Sequence, residues 1–147
     1  MYKTTDFRGT IRDSVRFTGM SGEVLFNAIR TSFPDALMAA GIPCLIHEDA
    51  VKSGGIWGTV LPMLVISHAN PPCSFFRMGF VVNQDVVSFV YLGESAQNTK
   101  MNTKRALEAE GKYLRAAMIK PDDFLLQQET SWNASVLDVF DSLCGGG

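Results

Sequence analysis

Two apolar stretches, Phe75–Val82 and Val86–Leu92, flank the polar tripeptide Asn83-Gln84-Asp85. Strands joined by so short a polar turn pair as an antiparallel hairpin. Side chains alternate across a strand, so the turn also sets the register. With Gln84 and Asp85 at the turn, Val82 faces Val87, Phe80 faces Phe89 and Met78 faces Tyr91. These six side chains then share one face, while Arg77, Gly79, Val81, Ser88 and Val90 share the other. A slip of one residue would scatter the aromatic rings over both faces. The hairpin therefore predicts a sheet with one buried face and one partly wet face, and the rest of the chain must cover the first.

Upstream, Pro43–His47 and Trp57–Ser67 read as further strands, separated by the loop Lys52-Ser53-Gly54-Gly55. The second is apolar on both faces, which suits a central strand, although Pro62 asks for a bulge or an edge there. Trp57 enters it from between glycines and is expected in the core rather than on a lid. Asn70-Pro71-Pro72 reads as a turn. A helix is predicted over 22–33, capped by Ser21, with Leu25, Phe26, Ile29 and Phe33 as its stripe. Pro34 ends it, and a short helix over 35–40 closes at Gly41.

The C-terminal third is helical. From Lys100, Leu107, Leu114 and Met118 fall on one side of a helix with Lys104, Glu108 and Lys112 outside. Pro121 opens a second helix with Asp122 and Asp123 in its first turn. Its stripe is Leu125, Trp132, Val136, Val139, Phe140 and Leu143. Residues 1–20 fit two periods: Phe7, Ile11 and Val15 recur every fourth residue, yet Ile11, Asp13, Val15 and Phe17 alternate. With Gly9 and Gly19 close by, they read as a loosely held basic arm beside a globular domain over 21–144.

The chain has 147 residues and a net charge of −2, with pI about 5.6. That balance argues against a general nucleic-acid binder. The charge is blocked: residues 96–120 hold six basic and two acidic groups, and residues 121–147 hold five acidic groups and no basic ones. Opposite-sign blocks on successive helical segments can meet each other or a second copy. The longest apolar stretch, Val60–Ile66, falls short of the roughly 18 residues of a membrane span. The first residues include Asp6 and Asp13 and lack the apolar core of a secretory signal. Three cysteines, Cys44, Cys73 and Cys144, then read as free thiols in a reducing, cytoplasmic setting.

Candidate chemistry centres on Cys44-x2-His47 and His68-x4-Cys73, a ligand set with which a tetrahedral zinc site could be built. Against it, residues three apart on a strand point to opposite faces, which separates Cys44 from His47. A thiol nucleophile would need Cys73 with His68 and Asp85, or Cys44 with His47 and Glu48, and neither set has a local signature. His47-Glu48-Asp49 reads as a solvated strand end. Gly93-Glu94-Ser95, near Lys100 and Lys104, is a strand–helix corner that could hold an anion, but it lacks a phosphate-loop pattern. Asn133-Ala134-Ser135 matches a glycosylation sequon, without meaning on a cytosolic helix.

The sequence thus predicts an α+β domain. An antiparallel meander of three or four strands is covered on one face by an N-terminal helix and two C-terminal helices. No catalytic, cofactor or metal residue is assigned. The leading expectation is a non-enzymatic protein-binding or assembly domain whose partner is a protein or its own copy. The alternatives are a small thiol-dependent or hydrolytic enzyme centred on the His68–Cys73 loop, and a zinc- or small-molecule-binding domain.

Overall fold

The computed structural model describes residues 1–53, 58–70, 73, 76–92, 96–120 and 122–145, with backbone alone at 53, 96–99 and 145. The elements run β1 (Tyr2–Lys3), a 3₁₀ turn (Thr4–Asp6), β2 (Gly9–Arg16), α1 (Gly22–Ala39), β3 (Cys44–Ser53) and β4 (Thr59–His68). There follow β5 (Arg77–Asn83), β6 (Val86–Tyr91), α2 (Ala96–Ala109), α3 (Tyr113–Ala117) and α4 (Asp123–Gly145). The fold class is α+β. Trp57, the Pro71-Pro72 turn, Gly93-Glu94-Ser95 and Pro121 lie outside the described residues.

The β5–β6 hairpin has the register that its alternation requires: Val82 opposes Val87, Phe80 opposes Phe89 and Met78 opposes Tyr91. Gln84 takes the left-handed conformation at the turn, with φ 56°. The sheet is larger than the three- or four-stranded meander expected. It has six strands in the order β1-β3-β4-β5-β6-β2, and it is mixed because β1 pairs parallel to β3. The extra strands come from residues 1–20, the stretch read as a loose arm. β2 pairs antiparallel to β6, from Gly9↔Tyr91 to Arg16↔Val86, with shifts at Thr10/Arg12 and Arg12/Val15. Those bulges break strict alternation, which is why the segment reads with two periods.

The two outermost strands are neighbours in sequence, and this curls the sheet. Six flat strands would put the edges about 24 Å apart. The link from Tyr2 to Gly9 reaches that far only when fully extended, yet it contains a 3₁₀ turn. The sheet must therefore bend to bring its edges together, and each face acquires its own core.

The convex face carries the larger core. α1 lays Leu25, Phe26, Ile29, Phe33 and Leu37 on it, and α4 adds Trp132, Val136, Leu137 and Phe140. The Phe140 ring lies 5.1 to 5.4 Å from the rings of Phe80, Phe89 and Phe33, edge-on to each. The concave face gathers Val51, Met63, Val65, Val81, Val90 and Leu92, closed over by Tyr2 and Phe7. The face expected to be partly wet is thus largely covered, by the chain's own first residues.

Pro34 does not end α1. The helix continues through it to Ala39, because Phe33 and Leu37 on either side are both fully buried. The proline forfeits one backbone bond and the packing of the last turn compensates. Gly41 closes the helix as expected, with φ 72° and the Ile42 N–H donating to the Leu37 carbonyl at 3.1 Å. Pro62 lies within β4, a central strand, but pairing with β5 begins only at Met63↔Val81. The imide nitrogen thus falls where β4 is bordered by β3 alone.

The C-terminal helices differ from the expected pair. Gly111, with φ 77°, stops α2, and the Lys112 N–H donates to the Leu107 carbonyl at 2.9 Å. The helical phase is reset there, so Leu107, Leu114 and Met118 do not form one stripe. α4 packs on the sheet beside α1, whereas α2 packs chiefly against α3 and α4.

Candidate functional site

The chemistry-bearing residues singled out by the sequence divide between the two faces. Cys44 opposes His68 across β3 and β4, on the convex side with Ile46 and Ile66. His47 points the other way, exposed, with its Nε2 3.8 Å from Asp49. The proposed zinc quartet is therefore split across the sheet. Among the described residues no group of three or more His, Cys, Asp or Glu side chains is placed to share a metal ion.

The nucleophile sets are split as well. Asp85 stands at the β5–β6 turn, where it holds Arg16 at 2.9 Å. His68 and Cys73 lie near the opposite end of β5, about 20 Å of strand away. Glu48 pairs with Arg30 on the convex side at 3.3 Å, so it cannot orient His47.

His68 is committed to structure. It is buried, its backbone N–H donates to the Phe76 carbonyl at 2.9 Å, and its Nδ1 accepts the Asn70 N–H at 3.0 Å. That bond places the ring proton on Nε2. Burial pushes the imidazole below its ordinary pKa, so the ring is held neutral against Phe76 and Trp132. Burial, with the Glu129 carboxylate as a smaller cause, pushes the Cys73 thiol up. A thiol kept protonated is a poor nucleophile.

Around these residues α4 builds a polar seam that the sequence reading missed. Glu129 and Asn133 are buried, and Trp132 donates its indole N–H to the Pro43 carbonyl at 3.1 Å. Asn133 hydrogen-bonds the Tyr91 phenol, whose pKa is raised by burial and by Glu129. The signal was present in the helical period. From Leu125 the buried stripe runs through 129, 132, 133, 136 and 140, so two polar residues occupy core positions. The seam ties α4 to the ends of β4 and β6.

The surface carries the opposite anomaly. α3 buries only Ala116, leaving Tyr113 68%, Leu114 87% and Met118 83% exposed; Phe124, in the first turn of α4, is 67% exposed. These four apolar side chains belong to one short turn–helix–turn. Lys104 holds it by donating to the Ile119 carbonyl at 3.3 Å, and Asp122 accepts the N–H groups of Phe124 and Leu125. Along the chain, Lys112, Arg115 and Lys120 precede the corner and Asp122 and Asp123 follow it.

Among the described residues no helix is long and apolar enough to cross a membrane. Compared with known proteins, the chain matches no family model, no curated protein and no solved structure.

Proposed function

We propose that the chain is a protein-binding or assembly domain that docks through the corner between α3 and α4. One observation carries this reading: Leu114 and Met118 are almost fully exposed although the helices around them have a core available to them. Burying a large apolar side chain contributes about 1.5–3 kcal/mol, so a partner covering this corner would gain several such increments. His68 and Cys73 are buried, and Cys44 and His47 lie on opposite faces of β3, which favours binding over the thiol-enzyme and zinc-site alternatives.

The charge blocks favour a second copy as partner. The corner lies where the basic block of 96–120 meets the acidic block of 121–147. A two-fold contact would set each block against its opposite and would do so twice. Sedimentation equilibrium at low and high salt, on the wild type and on a Leu114→Asp/Met118→Asp variant, tests this. Self-association at tens of micromolar that weakens with salt and disappears in the variant is expected. A photo-crosslinking residue at 118, with one at Glu23 as control, tests the broader reading in cells. A discrete protein adduct from 118 alone is expected, and an absence of any discrete adduct rejects the docking surface.

A further inference from the structure

The two edges of the sheet are unequal. β2 is interrupted by two register shifts and studded with Arg12, Asp13 and Arg16, devices that discourage strand addition. β3 runs straight through ten consecutive pairs with β4, without a bulge or a proline. On its outer side β1 covers only Val51 and Lys52. Among the described residues no strand pairs with the outer edge of Cys44–Asp49.

The direction of the peptide groups along that edge follows from three observations. His68 donates its N–H toward β5, to Phe76, so the even-numbered residues of β4 face β5 and the odd ones face β3. Odd β4 residues oppose odd β3 residues, as in Val65↔His47. The even residues of β3 therefore point their N–H and C=O groups outward. Pro62, which has no N–H to give, opposes Ala50 in agreement with this, and the Ala50 N–H turns to the Asp49 carboxylate at 2.8 Å. Ile46 and Glu48 are left with outward-facing peptide groups in an extended row.

We infer that the Cys44–Asp49 edge of β3 is a docking site for an extended, largely apolar peptide segment of about six residues, added as a further strand. The open row is about 20 Å long. Its two carboxylates are already compensated, Glu48 by Arg30 and Asp49 by the Met1 ammonium at 3.4 Å. It therefore presents no uncompensated charge to an incoming strand. Leu45, 64% exposed, stands on the concave side of the row and offers one apolar contact to a side chain of the guest, beside His47. The edge already accepts strand addition, since β1 enters it as two extended residues. Tyr2 of β1 is fixed in the concave face, where the Arg77 guanidinium donates to its hydroxyl at 3.2 Å.

A second copy centred on His47 does not fit this row. Antiparallel pairing of two β3 edges centred on His47 would bring Pro43 of one chain opposite Val51 of the other. Tyr2 already occupies that position. A single extended segment, by contrast, ends before it reaches β1. This site is separate from the α3–α4 corner and stands or falls independently of it.

The test uses the full ¹⁵N-labelled chain and a displayed library of random linear octapeptides. In the free protein the Ile46 and Glu48 amides should exchange freely, while those of Leu45, His47 and Asp49 should be protected by β4. Selected peptides are expected to slow exchange at Ile46 and Glu48 at least tenfold. They should bind Glu48→Pro at least tenfold more weakly, because that variant loses an outward N–H along with the ion pair to Arg30. Glu48→Gln, which loses the same ion pair, should bind like the wild type. Peptides N-methylated at alternate backbone nitrogens should bind at least tenfold more weakly, a readout that does not depend on Glu48→Pro folding. The inference is overturned if no peptide is enriched, or if enriched peptides protect residues elsewhere. It is also overturned if Ile46 and Glu48 are already protected in a concentration-dependent manner, which would give the edge to a second copy.

Discussion

The Arg12 guanidinium grips the Asp141 carboxylate through two hydrogen bonds of 2.8 and 2.7 Å and lies 4.4 Å from the centre of the Phe89 ring. One side chain thereby joins the edge strand β2 to α4 and covers a core aromatic of β6. A forked pair stacked on a ring exceeds an ordinary surface ion pair, although Asp141 is half exposed and the pair is screened accordingly. Arg12→Ala should cost about 1–2 kcal/mol in urea denaturation, and Asp141→Asn less than about 1 kcal/mol. Arg12→Lys should behave nearly as Arg12→Ala, since an ammonium keeps the charge but loses both fork and stack. Equal stability of wild type and Arg12→Ala would show that β2 is held by its ladder alone. The Arg12 bond holds the Asp141 carboxyl below its ordinary pKa, so this contribution is complete above pH 3.8 and is lost as pH falls below that value.

Gly79 occupies the one position on β5 where the concave face leaves no room for a side chain. A Cβ there would lie 2.7 Å from the Met63 sulfur, 3.0 Å from a Leu92 methyl and 3.1 Å from a Val90 methyl. Met63 is fully buried, so its sulfur has little freedom to withdraw. Gly79→Ala sets an overpacking cost of about 1–3 kcal/mol against about 0.5–1 kcal/mol gained by removing a flexible residue from a strand. A net loss of about 1 kcal/mol is expected, with Gly79→Leu losing considerably more. A neutral or stabilised Gly79→Leu would mean that the concave core is loosely packed.

What could be read from the sequence was local. The β5–β6 register and the Gly41 cap each depend on a few adjacent residues, and both are found as expected. What could not be read depended on distant partners. β2 pairs with a strand seventy or more residues away, from Arg16↔Val86 to Gly9↔Tyr91, and its bulges blur the alternation that names a strand. Gly111 stops α2, so Leu107, Leu114 and Met118, which the period from Lys100 sets on one side of a single helix, fall on two. Glu129 interrupts an apolar stripe, and its burial shows only when α4 meets β6. The zinc and nucleophile sets were tempting by composition. The period-2 argument that separated Cys44 from His47 is borne out by the faces these residues occupy.

The three thiols should differ in reactivity according to their cover. Cys144 is exposed, Cys44 half-buried and Cys73 buried. All three are pushed above the ordinary thiol pKa, chiefly by burial. Labelling of the native protein with a disulfide reagent at neutral pH should modify Cys144 first and Cys73 last, with all three equal once the chain is unfolded. Each variant with one cysteine changed to serine assigns its phase. Fast labelling of Cys73 would mean that the thiolate forms there, and would restore the thiol-enzyme reading of the His68–Cys73 loop.

His68 should make the fold sensitive to mild acid. Its ring is neutral in the folded chain because burial depresses its pKa, whereas in the unfolded chain it titrates near the ordinary 6.5. Below that value the unfolded state takes up a proton that the folded state resists, so stability falls as pH drops. The loss stops only once pH passes below the folded value. One such group can tilt the stability curve by at most about 1.4 kcal/mol per pH unit. His68→Gln retains an acceptor for the Asn70 N–H and removes the titration. It should therefore flatten the stability–pH curve between neutrality and pH 5, even if its stability at pH 7.5 is lower because packing against Phe76 and Trp132 is lost. Urea midpoints for both proteins across that range decide the matter. Parallel curves would mean that His68 titrates normally in the folded chain, and that the seam beneath α4 admits the charge the buried geometry is argued to exclude.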